Sequence, residues 1–106
     1  MRFLDVCRNP AAHGKPDHPI PYLLIVQGNH VEVAASRVVV PLMRRSAIAT
    51  RVRDIMPTIE VGGEPLVAMT PQIGAVPAAR IGAVVASASG VHSEIHHAID
   101  VLTGDL

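Results

Sequence analysis

Aromatic side chains are nearly missing from this chain. Of its 106 residues only Phe3 and Tyr22 carry aromatic rings, and there is no tryptophan. Two rings are too few for a platform on which single-stranded nucleic acid stacks. The apolar share is nonetheless 49%, supplied chiefly by alanine and valine, which bury less area per residue than rings do. An excess of charge is missing too. Nine basic and nine acidic residues cancel, so a broad phosphate-neutralising face, and with it direct nucleic-acid binding, is disfavoured. Local basic patches remain at Arg44–Arg45 and at Arg51 with Arg53. Cys7 is the single cysteine, which excludes an intrachain disulfide and suits a reducing compartment. No apolar run approaches bilayer length. The opening "MRFLDVC" carries Asp5 in its apolar run and is too short for a signal sequence. A cytoplasmic protein with no membrane partner is expected.

What is present reads as one domain, residues 1–106, made of strands followed by a helix. Residues 2–7 suit a first strand, and "RNPAAHGKPDHPIP", with four prolines, suits only a loop. Its histidines, His13 and His18, are expected in solvent. "YLLIVQ" predicts a strand, Gly28–Asn29 a tight hairpin turn, and "HVEV" an alternating strand. The continuous "VVV" in "RVVVPL" predicts a strand covered on both faces. Residues 43–56 suit short helical or irregular structure. "TIEVGGEPLVAM" predicts a hairpin turning on Gly62–Gly63, with its second strand at an edge where Pro65 cannot donate to a ladder. Thr70 and Pro71 fit a helix cap and first helical position, and residues 78–87 a last strand. From Ser89 the residues Val91, Ile95, Ala98, Ile99 and Leu102 form one apolar stripe, predicting a helix over about 89–103. Strands first and a helix last imply an antiparallel sheet or small barrel with the helix packed on it.

Few residues suggest chemistry. His92, His96 and Asp100 follow one another at four-residue intervals and so line one helical face. Two imidazoles and a carboxylate can ligate a transition metal, but no fourth ligand is evident, and a solvated polar face is the simpler reading. No cofactor is expected. Cys7 lies in an apolar strand with no catalytic motif around it, and neither a G-x-S-x-G elbow nor a phosphate-binding glycine loop occurs. Arg51, Arg53, Asp54 and the loop histidines can be imagined as the acid, base and cation of a small ribonuclease, although their spacing alone carries no weight. A non-enzymatic antiparallel domain, oligomeric because its apolar strands need cover, is the reading from residues alone.

Several segments together resemble the CcdB family of toxins, poisons of bacterial DNA gyrase. They are "LLIVQ" leading into "RVVVPL", "MPTIEVGGEPLVAMT", "AVPAARIG" and the terminal "IHHAIDVL", in the family's order, spanning residues 22–102 with a gap near 43–55. "MRF" fits as well, while the loop over residues 8–21 is longer than the resemblance leads one to expect. The resemblance implies a mainly β fold of SH3-like antiparallel barrel type with a side hairpin and a C-terminal helix. It also implies a homodimer and a cognate antitoxin whose disordered tail wraps the toxin. The complex represses its own operon by binding DNA through the antitoxin, the arrangement of plasmid-maintenance modules.

In the family the two C-terminal helix tips insert side by side into the gyrase A subunit, and the sequence ends in Trp-Gly-Ile. This chain has Gly104, Asp105 and Leu106 there. His97 and Asp100 lie under family asparagines that help contact gyrase, and Thr103 lies under a phenylalanine. Only Leu106 is a conservative match. Three readings follow: a gyrase-directed toxin without catalytic residues, an antitoxin-binding regulator that has lost the gyrase tip, and a ribonuclease toxin on the same barrel. The matching pieces favour the first two. Because a domain this small leaves Val- and Ala-rich surface uncovered, light scattering at micromolar concentration is expected to give twice the chain mass of 11.2 kDa. A mass of one chain at high concentration would contradict the dimer.

Overall fold

The computed structural model describes residues 1–31 and 35–104. Seven strands form one antiparallel sheet: β1 (Asp5–Arg8), β2 (Tyr22–Ile25), β3 (Ser36–Arg44), β4 (Thr58–Val61), β5 (Glu64–Ala68), β6 (Gly74–Pro77) and β7 (Val84–Ser87). One α-helix, α1 (His92–Leu102), ends the described chain, entered through a single 3-10 turn at Ser89–Val91. The path through the sheet is β4-β5-β3-β2-β1-β7, with β6 pairing β3 off that path. This is the mainly β half-barrel with a C-terminal helix that the sequence predicts.

β3 organises the sheet. Its residues 39–42 pair with β2, Leu42 to Arg44 pair with β5, and Ser36 to Val39 pair with β6. A nine-residue strand thus has β2 along one side while β5 and β6 share the other. Side chains alternate between faces, and both faces are covered. Val40 and Leu42 join Val6, Leu24, Leu66 and Ile95 in the main core, beneath α1. Val39 joins Cys7, Leu23 and Ile25 in a second cluster, covered by Ile20, Val76 and Ile81. The unbroken "VVV" run reflects this double burial, as expected.

The hairpin of β4 and β5 forms as the sequence predicts. Gly62 and Gly63 both have positive φ, 58° and 83°, the requirement of a two-residue turn whose twist matches its strands. β5 is not an edge strand over its length, since β3 pairs from Leu66 onward, but Pro65 precedes that ladder and pairs only with Glu60 of β4. The missing N–H therefore falls where no partner needs it.

Other boundaries differ from expectation. β1 starts at Asp5 because the preceding residues turn: the Asp5 amide donates to the Arg2 carbonyl at 2.9 Å, and Leu4 sits at φ 68°. A left-handed leucine costs about 1–2 kcal/mol. It is offset here by burying the Leu4 side chain and by bonds from the Leu4 amide to the Ile25 carbonyl at 2.7 Å and from the Ala88 amide to the Leu4 carbonyl at 2.8 Å. Gly28–Asn29 is not a tight hairpin. Polar side chains hold that connection instead: Gln27 Oε1 accepts from the Val38 amide at 3.1 Å, and Asn29 Oδ1 accepts from the Phe3 amide at 2.8 Å. Of the expected "HVEV" strand, His30 and Val31 are turn and coil, and Glu32 and Val33 lie outside the described residues. Thr70 is buried inside a single 3-10 turn, Thr70–Gln72, with no side-chain cap. The expected last strand divides into a 3-10 turn at Ala78–Arg80 and β7.

Cys7 is fully buried between β2 and β7. Burial pushes its thiol above the ordinary value of 9.0, the Asp5 carboxylate adds to the rise, and the N-terminal ammonium opposes it. The folded thiol therefore stays protonated where the unfolded one ionises. The stability this provides is complete below the ordinary value and is lost as pH rises through it toward the folded value. Urea unfolding is expected to show a steeper stability loss as pH rises above 9.0 for the native chain than for Cys7→Ala. Equal slopes would contradict the assignment.

Candidate functional site

α1 forms because its apolar stripe has a place to go. Ile95 and Ala98 are fully buried, Val91, Ile99, Val101 and Leu102 half-buried, and the remaining positions face outward. Its exposed side carries His92, Glu94, His96, His97 and Asp100. One part of that side is not simply solvated. The rings of His92 and His96 lie 4.4 Å apart, and Phe3 meets both nearly edge-on, at 5.5 and 5.6 Å between centroids. One of the chain's two aromatic rings thus packs the N-terminal residues against the helix. Spacing within the helix could not disclose this contact, since Phe3 reaches it from the other end of the sequence.

Asp100 is exposed, and its carboxylate makes no hydrogen bond or ion pair with either ring. Among the described residues no group of three or more His, Cys, Asp or Glu side chains is placed to hold a metal ion. His92, His96 and Asp100 share a helical face without making a ligand set.

The helix end has a definite stop. Thr103 Oγ1 donates to the Ile99 carbonyl at 2.9 Å, the Thr103 amide donates to the same carbonyl at 3.0 Å, and the Gly104 amide donates to the Val101 carbonyl at 3.2 Å. Gly104 then takes φ 74°, the left-handed conformation that ends helices and that glycine adopts without strain. A glycine just past the last stripe residue is a legible stop signal. Gly104, which the resemblance sets at the tryptophan position, is thus a helix terminator here. A Cβ at Gly104 would meet nothing within 4 Å, so space is available and only the backbone resists. Asp105 and Leu106, the other two tip candidates, lie outside the described residues.

His97 points to a second feature. It borders a depression of about 360 Å³ together with Glu94 and Val91 of the helix end of the chain and Arg51, Arg53, Asp54, Pro57 and Thr58 of the segment before β4. The fold therefore sets the arginines and the aspartate of the ribonuclease reading beside His97, whereas the loop histidines His13 and His18 do not line the hollow. Their charges balance: two guanidiniums face two carboxylates. Arg51 is already engaged, its Nε donating to the Met56 carbonyl at 2.8 Å. Such a mixed-charge hollow lacks the net positive field that gathers a phosphodiester, and suits polar contact with another protein surface better.

The family model for the CcdB protein matches residues 3–104. The chain belongs to the CcdB family. No curated protein matches it. Membership supports a protein toxin of a toxin–antitoxin pair, and implies antitoxin and gyrase partners in general terms. No helix of the described residues is long and apolar enough to cross a membrane.

With Asp100 and the mutually packed imidazoles of His92 and His96 as the candidate ligands, protein dialysed without chelator is expected to carry no stoichiometric zinc or nickel. Metal retained at one equivalent and lost on His96→Ala would contradict this.

Proposed function

We propose that the protein is the toxin of a type II toxin–antitoxin module and acts in the cytoplasm by contact with the gyrase A subunit, without a catalytic residue. The family match over residues 3–104 carries this reading. A single domain, residues 1–106, works as a homodimer, binds a cognate antitoxin, and reaches operator DNA only through it. Val84 and Val85, 49% and 39% exposed on the edge strand β7, support a need for apolar cover. The contact surface is the exposed end of α1: His97, Asp100, Thr103 and Gly104, continued by Asp105 and Leu106.

A second reading draws support from the helix stop at Gly104. With no tryptophan and a left-handed glycine in its place, the chain serves as an antitoxin-binding regulator whose gyrase contact has been lost. A ribonuclease function is the weakest of the three, because the hollow beside His97 is charge-balanced.

The tip decides between the first two. A buried interface tryptophan contributes about 2 kcal/mol or more, roughly thirtyfold in affinity. A non-glycine residue held at the φ of Gly104 costs about 1 kcal/mol of that, so Gly104→Trp alone is expected to gain about fivefold in gyrase affinity. The triple change Gly104→Trp, Asp105→Gly, Leu106→Ile restores the family ending and is expected to give the larger effect. The packed stripe ends at Leu102, so fold and antitoxin binding should not change. Supercoiling and cleavage-complex assays on one gyrase compare the proteins directly. If the natural chain traps cleaved DNA as strongly as the restored one, another surface carries toxicity and the regulator reading fails. If neither traps DNA while both bind antitoxin, the gyrase reading fails.

A further inference from the structure

The proline-rich loop between β1 and β2 is built rather than slack. Asn9 braces both ends, its Oδ1 accepting from the Ala11 amide at 3.2 Å and its Nδ2 donating to the Ile20 carbonyl at 2.8 Å. Successive turns follow, closed by bonds from the amides of Ala12, His13, Lys15 and His18 to carbonyls three residues earlier. The His18 Nδ1 accepts from the Ile20 amide at 3.0 Å. β3 holds the far side of the loop: the Arg44 amide donates to the Pro19 carbonyl at 2.8 Å, and Arg44 Nε to the His18 carbonyl at 3.1 Å. Four fixed proline φ angles add rigidity.

Folded in this way, the loop walls a cavity of about 430 Å³ against β1, β2 and the approach to β7. That volume is in the range of small-molecule sites. Its lining holds Arg8, His13, Lys15 and Arg44 and contains no carboxylate. Arg44 is paired with Glu64. Among the described residues, the side chains of Arg8 and Lys15 have no hydrogen-bond or ion-pair partner, and neither does the Tyr22 hydroxyl. Three donors thus border one cavity with no acceptor for them among the described residues. Faces of Pro10, Pro21 and the Tyr22 ring supply apolar surface beside them.

Gly82 holds Arg8 in place. The Gly82 amide donates to the Arg8 carbonyl at 2.9 Å, and the Arg8 amide donates to the Ala83 carbonyl at 2.9 Å. A Cβ at Gly82 would fall 2.8 Å from the Arg8 carbonyl oxygen and 2.9 Å from the Arg8 Cβ. Only glycine permits this approach, so the Arg8 backbone is fixed while its guanidinium remains available.

We propose that this cavity binds a small phosphorylated organic anion of about mononucleotide size. Phosphate geometry matches an Arg fork, with Lys as a second point charge, and the proline and tyrosine faces cover a flat apolar portion. The site uses no residue of α1 and is independent of any action on gyrase.

Calorimetric titration with adenosine 5′-monophosphate at low salt tests it, with adenosine, inorganic phosphate and a dodecathymidylate strand as further probes. The mononucleotide is expected to bind at about one per chain, with adenosine and phosphate each at least about tenfold weaker. Arg8→Gln and Lys15→Gln are each expected to weaken it about tenfold, the loss of one charge-assisted contact. Unchanged thermal unfolding of both variants shows that the fold is kept. Absence of mononucleotide binding at millimolar concentration overturns the proposal, as does equal affinity in the Arg8→Gln, Lys15→Gln double variant. Binding of the strand far more tightly than the mononucleotide, with the same dependence on Arg8 and Lys15, also overturns it and makes the ligand nucleic acid.

Discussion

Burial of β3 on both faces is the constraint from which the rest of the architecture follows. A strand that shows Val40 to one core and Val39 to another needs cover on each side. α1 provides it on one face through Ile95, and the segments bearing Ile20, Val76 and Ile81 provide it on the other. Fully burying each valine or isoleucine contributes about 1.5–3 kcal/mol, so neither cover is optional for a chain with so few large side chains. The length of β3 also explains why β5 and β6 can share its outer side, curving the sheet toward a half-barrel.

That arrangement assigns different work to the two ends of the molecule. α1 is anchored by its stripe and leaves its polar side outward, so residues from His97 to Gly104 are presented by a rigid element and not by a loop. Across the sheet, the loop following β1 is tied to β3 and carries unpartnered cationic groups. The first region is the gyrase-contact surface proposed above. The second covers a core cluster through Ile20 and also lines a cavity with Lys15 beside Arg8 of β1.

The departures at the helix tip are physical as well as sequential. Where the resemblance implies an aromatic anchor, glycine offers no stacking area, and the backbone of Gly104 takes a left-handed conformation that an aromatic residue resists. Tip chemistry and helix termination are therefore coupled at one position. The neighbouring hollow with His97, Glu94, Arg51 and Asp54 is a consequence of docking α1 beside the segment before β4, and its balanced charges fit a contact surface.

Periodicity and turn chemistry made much of this legible in advance. The α1 stripe, the Gly62–Gly63 hairpin, the doubly buried "VVV" strand and the family itself were all readable, because each is a local pattern tied to one backbone geometry. The positions of His97 and Asp100 on an exposed helical side were readable for the same reason. Other features depended on contacts between distant segments. The left-handed turn at Leu4, the side-chain bridge that replaces a tight turn after β2, and the packing of Phe3 on His92 and His96 all join residues far apart in sequence. The same holds for Gly82 against Arg8, which turns a proline-rich loop into the wall of a cavity. Local sequence determined which segments are strand, turn or helix, since those choices follow from backbone sterics and alternation. Tertiary structure decided which charged and aromatic side chains meet, because that depends on how a curved sheet brings its separate edges together.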